Sequence, residues 1–184
     1  MTGPPRLLVF AGPNGSGKTT IARAWAPAGI YINADDIKLA TDCSDLEAAQ
    51  TAEQIRKSCL AGRLDFTFET VLSTDRNLRL LRTAQDVGYK ITGVFVMTVS
   101  AELNVARVMS RTAAGGHSVP ADKTRSRYAG SLANLPEFAR LCDEVYVFDN
   151  TDQPTVVFTK AAEDESFYPT EMWPAPTLDR LLDR

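Results

Sequence analysis

The chain has 184 residues, of which 44% are hydrophobic and 23% are charged, and its formal net charge is −3. This length and composition predict one domain with its own hydrophobic core. The negative net charge argues against broad nucleic-acid binding, because such binding needs a basic face. The three cysteines show no paired spacing and no apolar run suits a signal peptide or a membrane span, so we expect a cytoplasmic protein without membrane contact.

Strands and helices are predicted to alternate along the chain. The predicted strands are 6–11, 30–33, 65–71, 89–99, 144–150 and 154–161. The predicted helices are 18–25, 44–61, 74–87, 101–114 and 121–142, with a short helix near Leu178. Alternation of this kind predicts an open, mainly parallel α/β sheet with helices on both faces, the P-loop kinase-like arrangement. Ligands of such sheets bind beyond the carboxyl ends of the strands.

The first predicted strand runs directly into a glycine-rich loop. Its sequence "GPNGSGKT" fits the phosphate-binding pattern GxxxxGK[ST] at every fixed position. Successive N–H groups of such a loop converge on an anion, and the start of the helix adds its positive dipole end. We expect Lys18 to reach the β- and γ-phosphates of a nucleoside triphosphate and Thr19 to hold Mg²⁺. The predicted nucleotide-binding residues are Gly12, Pro13, Asn14, Gly15, Ser16, Gly17, Lys18, Thr19 and Thr20.

Two further strands end in acidic residues. Asp35 and Asp36 follow the second strand, and Glu69 and Thr70 end the third. Phosphoryl transfer to a hydroxyl needs a carboxylate beside that hydroxyl. Asp35 could instead cap the next helix, and Glu69 could be a solvated strand end. Two adjacent aspartates allow one to cap and one to react, and a charge inside the apolar run "FTFETV" needs polar or metal-rich surroundings, so we predict a functional role for both carboxylates.

Basic residues cluster on the helix 101–114 and just after it. Arg107 and Arg111 lie four positions apart, and neither has an acidic residue three or four positions away. Additional cations follow at Lys123, Arg125 and Arg127. One interpretation is a solvated basic surface. The other is a lid, about 107–127, whose guanidinium groups close over the transferring phosphate.

The break "GGHSVP" between the two helices suits a hinge for such a lid, because Gly115 and Gly116 tolerate large backbone changes. His117 could contact the ligand or hold the turn. A nucleotide-dependent switch is a competing function, and its metal-binding aspartate would be Asp149 at the end of a late strand. That late position and the lid-like arginines favour a kinase.

Five motifs in fixed order resemble the small bacterial members of the zeta-toxin family of P-loop kinases. They are "GPNGSGKTT", "INADDI", "FTFETVLST", "RVMSRTAAGGHSVP" and "RYAGSLANL", and the resemblance covers about Leu7 to Asn150. It implies ATP and Mg²⁺ as cofactors, and the 3′-hydroxyl of UDP-N-acetylglucosamine as the phosphate acceptor. A toxin with an antitoxin partner is also implied. Small members need not share this acceptor, and some relatives phosphorylate other hydroxyls, including the adenosine ribose of NAD. Resistance kinases that phosphorylate antibiotic hydroxyls share the loop, the base and the lid.

The resemblance also implies roles for individual residues. Asp35 corresponds to the aspartate that acts as base, and Glu69 to the glutamate that helps hold the sugar. Arg107 and Arg111 are the nearest matches to the lid arginines that stabilise the transferred phosphate. We expect Thr70, His117 and Arg127 to complete the acceptor site, and the segment 151–184 to form a C-terminal cover. Within it, the stretch "FYPTEMWPAP" could pack irregularly on the sheet or contact another chain.

Overall fold

The computed structural model describes residues 3–115, 119–162 and 164–183, and over these ranges the chain forms seven strands and eight helices. The strands are β1 Arg6–Ala11, β2 Ile30–Ile32, β3 Phe66–Thr70, β4 Lys90–Met97, β5 Glu144–Asp149, β6 Thr155–Ala161 and β7 Asp164–Phe167. The helices are α1 Lys18–Ala22, α2 Ala34–Thr41, α3 Asp45–Gly62, α4 Arg76–Asp86, α5 Ala101–Ala113, α6 Ala121–Ala133, α7 Leu135–Leu141 and α8 Ala175–Leu181. None of these helices is long and apolar enough to cross a membrane.

All seven strands form one sheet in the order β2-β3-β1-β4-β5-β6-β7. The first five strands of this order pair in parallel, and β6 and β7 pair antiparallel at one edge. The predicted fold class, a mainly parallel α/β sheet, is therefore confirmed. Because β3 and β4 lie on opposite sides of β1, the chain reverses its direction of travel at β1, and a crevice opens at the carboxyl end of that strand.

The residues of β1 alternate between two apolar layers, as the two-residue period of a strand requires. Leu7, Val9 and Ala11 pack in the large core shared with α3, α4, α7 and α8. Leu8 and Phe10 pack in a smaller cluster beneath α1 on the opposite face. Burial on both faces explains why this strand is wholly apolar in sequence.

Three details of the predicted secondary structure differ from the structure. Helix α1 ends at Ala22, short of the predicted residue 25, and the chain continues in tight turns. The single helix predicted for 121–142 is two helices that meet at Asn134, because Pro136 has no N–H for a continuous helix and fits the first turn of a new one. Strand β7 lies in a stretch where the sequence shows no strand pattern.

The C-terminal segment contains the strand predicted at 154–161, as β6, and the short helix predicted near Leu178, as α8, and it adds β7. The two strands extend the sheet, and α8 packs in the large core. Trp173 and Leu178 are buried there, at 6% and 0% exposure. Apolar side chains at these positions give the segment a packed place on the sheet, since their burial removes a large area from water.

Candidate active site

The glycine-rich loop leaves β1 at Ala11 and ends where α1 begins. Gly12, Gly15 and Gly17 all have positive φ, at 137°, 80° and 92°, a backbone range that other residues rarely adopt. A Cβ on Gly12 would lie 2.0 Å from the carbonyl oxygen of Val96, and one on Gly15 would lie 2.5 Å from that of Asn104. The loop therefore packs closely against its neighbours and has no side chains at its three glycines. Its backbone N–H groups can approach a phosphate chain closely.

A cavity of about 720 Å³ opens beside this loop at the carboxyl edge of the sheet. Five of the predicted nucleotide-binding residues line it: Gly15, Gly17, Lys18, Thr19 and Thr20. Gly12, Pro13 and Ser16 are buried beneath the surface of the loop, and Asn14 is half-buried. The volume is in the range of small-molecule sites, and its lining carries both charged and apolar groups.

Lys18 turns back onto its own loop. Its ammonium group donates hydrogen bonds to the carbonyl oxygens of Gly12 and Pro13, at 2.7 and 2.9 Å. Burial lowers the pKa of Lys18 to about 8, and the nearby carboxylates of Glu69 and Asp35 oppose part of that shift. Arg111 and Arg127 lower it further, so both guanidinium groups act electrostatically on this lysine. The site thus concentrates positive charge where an anionic ligand would neutralise it.

Glu69 lies directly beside Thr19, the residue predicted to hold Mg²⁺. The Thr19 hydroxyl donates to one carboxylate oxygen of Glu69 at 2.9 Å. The other oxygen accepts hydrogen bonds from the Tyr31 hydroxyl and from the Asn33 side chain, the latter at 3.1 Å. Burial and the hydrogen bond to Glu69 raise the pKa of Tyr31 well above its ordinary value, so Tyr31 stays a donor at neutral pH. The alternative of a solvated strand end is wrong, because three side chains hold this carboxylate in place.

Asp35 lies in the first turn of α2 and lines the same cavity as Lys18. It does not cap the helix. The N-cap is Asn33, whose side-chain oxygen accepts a hydrogen bond of 2.9 Å from the Asp35 N–H. The Asp35 carboxylate is exposed and acts electrostatically on Lys18. The aspartate and the lysine therefore face one cleft, as the sequence predicted.

The predicted lid arginines occupy different environments. Arg111 lines the cavity, and Arg127 donates to the side chain of Asn14 in the loop at 3.3 Å. Arg107 also lines the cavity, but it donates to the carbonyl oxygens of Asn150 and Thr151 at 2.8 and 2.7 Å. These contacts tie α5 to the segment after β5 and leave fewer Arg107 donors for a phosphate.

Arg125 has no place in the cavity lining, because it forms an ion pair with Glu102 at 2.9 Å, where both side chains are largely exposed. The interpretation as a solvated basic surface is right for Arg125 alone among the arginines named here. It does not hold for Arg107, Arg111 and Arg127, which the fold brings to the loop or to the cavity.

Thr70 and His117 complete the set of predicted acceptor residues. Thr70 is buried, and its hydroxyl oxygen accepts hydrogen bonds from the Leu72 N–H at 3.0 Å and the Asn77 side chain at 2.7 Å. It shapes the turn after β3 and, like Glu69 and Arg127, is not among the residues that line the cavity. Its contact with the acceptor stays a prediction. His117 and the hinge residue Gly116 lie outside the described residues.

The sequence pattern missed several residues that shape the site, above all Asn150. Its side-chain amide donates to the carbonyl oxygen of Ser16 in the loop at 2.7 Å. The rule that selected Asp35 and Glu69, a polar residue just past a strand, also selects Asn150. The preceding Asp149, the candidate aspartate of a switch, is buried and accepts hydrogen bonds from the N–H and hydroxyl of Thr151. Both hydrogen bonds go to the same carboxylate oxygen of Asp149, Oδ1.

Strand order, loop and cavity together define a P-loop protein of the kinase-like α/β class. Residues 2–163 match the Zeta toxin family, and the chain belongs to that family. An uncharacterized protein of Haemophilus influenzae is similar, with 26% identity over 129 residues that make up 67% of this chain and 92% of that protein.

Two solved structures share the fold at low sequence identity. A chain in the crystal structure of AvrRxo1-ORF1:-ORF2 with ATP has a TM-score of 0.74 and 14% identity, over 98% of this chain. The match spans 64% of that chain, less than two thirds of its length. A chain of the PezAT chromosomal toxin-antitoxin system of Streptococcus pneumoniae has a TM-score of 0.62 and 13% identity, over 100% of this chain and 89% of that one.

Proposed function

We propose that this protein is a kinase that transfers the γ-phosphate of ATP to a hydroxyl group of a small molecule. The observation that carries the proposal is the presence of Lys18 and Asp35 on the wall of one cavity. A triphosphate held by the loop would end beside a carboxylate that is exposed to the cavity, and transfer to an alcohol needs that combination. Membership of the Zeta toxin family supports a phosphotransferase.

The loop is suited to ATP by its backbone. Three glycines with positive φ leave room for a phosphate chain beside their N–H groups, and Lys18 is already directed to the centre of the loop. On binding, Lys18 would exchange its two carbonyl partners for phosphate oxygens. The similarity to a structure that contains ATP is consistent with this ligand.

The residues around Thr19 are suited to Mg²⁺, because a hydroxyl and a carboxylate 2.9 Å apart supply the oxygen ligands that this ion prefers. When bound with the nucleotide, Mg²⁺ would neutralise charge on the β- and γ-phosphates. Thr19 would then release Glu69 and turn its hydroxyl oxygen to the ion. Tyr31 and Asn33 would keep the Glu69 carboxylate close to Thr19.

The transfer step places Asp35 beside the acceptor hydroxyl. The hydroxyl oxygen forms a bond to the γ-phosphorus while the bond from that phosphorus to the β–γ bridging oxygen breaks. The hydroxyl proton passes to the Asp35 carboxylate, and ADP leaves with the electron pair of the broken bond. Lys18 and Arg111 would stabilise the negative charge that develops on the γ-phosphoryl oxygens, with Arg127 reaching them through its place at Asn14.

Arg107 has a smaller role in this proposal than the sequence predicted for it. Two of its nitrogens are held by carbonyl oxygens beyond β5, so we assign it first to positioning α5 and its neighbour Arg111. His117, which follows α5, remains a predicted acceptor contact. Closure of the segment 107–127 over the phosphate is part of the proposal, because Arg111 and Arg127 stand on the two helices of that segment.

The favoured acceptor is a sugar nucleotide similar to UDP-N-acetylglucosamine, and the favoured biological role is that of a toxin in the cytoplasm with an antitoxin partner. The family match and the fold shared with a toxin-antitoxin chain support this choice. NAD and antibiotic hydroxyls are the competing acceptors.

A transfer assay tests the function. Purified protein would be incubated with γ-³²P-labelled ATP, Mg²⁺ and each acceptor class in turn: sugar nucleotides, dinucleotides and aminoglycosides. We expect labelled product with a sugar nucleotide, and ATP consumption near zero until an acceptor is added. Rapid ATP hydrolysis without any acceptor, together with no labelled small molecule, would contradict the kinase function.

A further inference from the structure

Asn33 contacts both of the acidic residues on which the proposed transfer depends. Its side-chain Oδ1 accepts a hydrogen bond of 2.9 Å from the N–H of Asp35, and its Nδ2 donates to Oε1 of Glu69 at 3.1 Å. Asn33 also lines the cavity. One amide side chain therefore joins the start of α2, which carries Asp35, to the end of β3, which carries Glu69. An amide suits both contacts, because it has an acceptor oxygen and N–H donors on one planar group.

Helix α2 has little packing of its own to fix its position. Within the described part of the chain, none of its eight residues, Ala34–Thr41, is buried. Two of its apolar residues contact the large core while partly exposed. Lys38 forms an ion pair with Asp45 of α3 at 2.6 Å, but both side chains are exposed, and such pairs contribute little. The position of Asp35 relative to the sheet therefore depends strongly on the contacts of Asn33.

The hydrogen bond from Asn33 to Glu69 also links α2 to the predicted metal position. Oε2 of Glu69 accepts from the Thr19 hydroxyl at 2.9 Å, while Oε1 accepts from Asn33 and from the Tyr31 hydroxyl. When Thr19 turns to Mg²⁺, as the proposed function requires, the two contacts at Oε1 can remain. Of the two donors there, Asn33 is the one that also bonds the N–H of Asp35.

We propose that Asn33 is a positioning residue that holds Asp35 and Glu69 in a fixed relation, so that the base stands at the acceptor hydroxyl when the metal is bound. The proposal rests on the proposed kinase function and adds to it a residue to which the sequence pattern assigned no role. Through Asn33, a movement of Glu69 toward Mg²⁺ is transmitted to the first turn of α2. A general base must lie within hydrogen-bonding reach of the proton that it removes, so a small displacement of α2 lowers the rate.

The competing explanation is that Asn33 acts only as the N-cap of α2. Asn33→Asp separates the two explanations, because aspartate caps a helix as well as asparagine does but its carboxylate has no N–H to donate to Glu69. A cap alone predicts wild-type transfer by this variant. Our proposal predicts a kcat about tenfold lower at pH 8 and saturating ATP, with a smaller change in the KM for ATP.

The pH profile of Asn33→Asp gives a readout that a cap alone would not change. At low pH the introduced carboxyl group takes up a proton, and it can then donate to Glu69 in place of the amide. The ratio of wild-type to variant rate should therefore be largest above pH 7 and fall toward pH 5. The neighbouring titratable groups are common to both proteins, so their titration largely cancels from the ratio. They are Glu69 with its partner Tyr31 and, on the cavity wall, Lys18, Arg23, Asp35, Asp36 and Lys38.

Asn33→Ser removes the donation to Glu69 without adding a charge, because serine caps helices but has a shorter side chain. Its kcat should also be lower, and the ratio to wild type should not depend on pH. In an Asp35→Asn background the same substitution should cost much less, since the residue through which Asn33 acts is no longer a base. Ser44→Ala is the control for a lost cap, because it removes the N-cap of α3 and should leave kcat unchanged.

Amide hydrogen exchange tests the contact without any turnover. The N–H of Ile37 donates to the carbonyl oxygen of Asn33 at 3.1 Å and reports on the first turn of α2. Glu69→Ala changes no atom of α2 but removes the second partner of Asn33. We expect the Ile37 amide to exchange about threefold faster in this variant, while the amides of α4 exchange as in wild type.

The proposal is overturned if Asn33→Asp transfers phosphate at the wild-type rate between pH 5 and 8, or if Glu69→Ala leaves exchange in α2 unchanged. Wild-type protein that transfers no phosphate to any acceptor contradicts the kinase function instead. The exchange measurement then still decides whether Asn33 positions α2 through Glu69.

Discussion

The side-chain amide of Asn150 donates a hydrogen bond of 2.7 Å to the carbonyl oxygen of Ser16, so a residue just past β5 supports the middle of the glycine-rich loop. The same amide nitrogen lies 2.2 Å from the point that a Cβ on Gly17 would occupy. The carbonyl oxygen of Asn150 accepts a hydrogen bond from Arg107. One asparagine therefore connects the loop, the end of β5 and helix α5.

Replacing Asn150 with alanine should weaken nucleotide binding. The loop would lose its support at Ser16, and a hydrogen bond of this kind contributes about 1 kcal/mol, which corresponds to roughly fivefold in affinity. Titration of AMP-PNP with Mg²⁺, followed by calorimetry, measures the effect. Asn134→Ala is the control, since Asn134 also donates a side-chain bond to a backbone oxygen, that of Leu72, away from the loop. Equal losses in the two variants would argue against a specific role for Asn150.

Gly17→Ala should weaken nucleotide binding more than Asn150→Ala does. An added Cβ would collide with the Asn150 side chain, and φ of 92° is unfavourable for alanine. Gly88→Ala separates the two causes, because Gly88 has a φ of 79° but no atom closer than 3.8 Å to the point that its Cβ would occupy. We expect Gly88→Ala to cost about 1 kcal/mol of stability and to leave nucleotide affinity intact. Normal binding by Gly17→Ala would show that the loop tolerates displacement of Asn150.

Nucleotide affinity should fall as the pH rises through about 8, because Lys18 loses the proton that attracts the phosphates. Binding of the triphosphate should raise the pKa of Lys18, so the protein should take up a fraction of a proton at pH 8. Calorimetry in two buffers of different ionisation enthalpy measures this uptake. In Lys18→Arg the side chain stays charged, and the pH dependence near 8 should disappear even if affinity is lower.

The same pKa has a consequence for stability. The folded protein binds fewer protons at Lys18 than the unfolded chain between pH 8 and the ordinary lysine pKa of 10.5, so this group makes the free energy of unfolding rise with pH across that window. Below pH 8 the charged lysine is buried at its full cost. Denaturant titrations at pH 7.5 and 9.5 measure the free energy of unfolding of wild-type protein and Lys18→Met. Its increase between the two pH values should be smaller in the variant, and the difference is the contribution of Lys18.

Asp35→Asn should lower the rate of phosphoryl transfer by at least about 10²-fold, the usual scale for loss of a general base. Nucleotide affinity should change by less than a factor of three, because the amide keeps the shape of the side chain. Asp42→Asn, at the other end of α2, is the matched control. Turnover by Asp35→Asn within a few-fold of wild type would remove Asp35 from the mechanism.

Tyr31→Phe should raise the Mg²⁺ concentration needed for half-maximal transfer by several-fold. Phenylalanine keeps the ring and removes only the hydroxyl that donates to Glu69, so the carboxylate would be less well held beside Thr19. The measurement is the transfer rate against Mg²⁺ at saturating ATP. A lower rate with an unchanged Mg²⁺ requirement would instead connect Tyr31 and Glu69 to the acceptor alone.

The sequence by itself determined the class of fold and the phosphate-binding loop. Apolar periodicity predicts the strands and helices. The phosphate-binding residues are consecutive in "GPNGSGKT", between a buried strand and a helix, so the sequence alone identifies the loop. Asp35 and Glu69 were also predictable, because the ends of parallel strands meet at one edge of the sheet. The sequence pattern did not predict the break between α6 and α7 or the strand β7. Tertiary packing determines the secondary structure at both places.

Only the tertiary structure decided which distant residues meet. Thr19 and Glu69 are 50 positions apart, and Ser16 and Asn150 are 134 apart. Their contacts follow from the order of strands around β1, which no local pattern in the chain specifies. The different environments of Arg107, Arg111 and Arg125 depend on the same packing. A charge has the same appearance in sequence whether it is solvated, paired or buried, and only its surroundings distinguish these states.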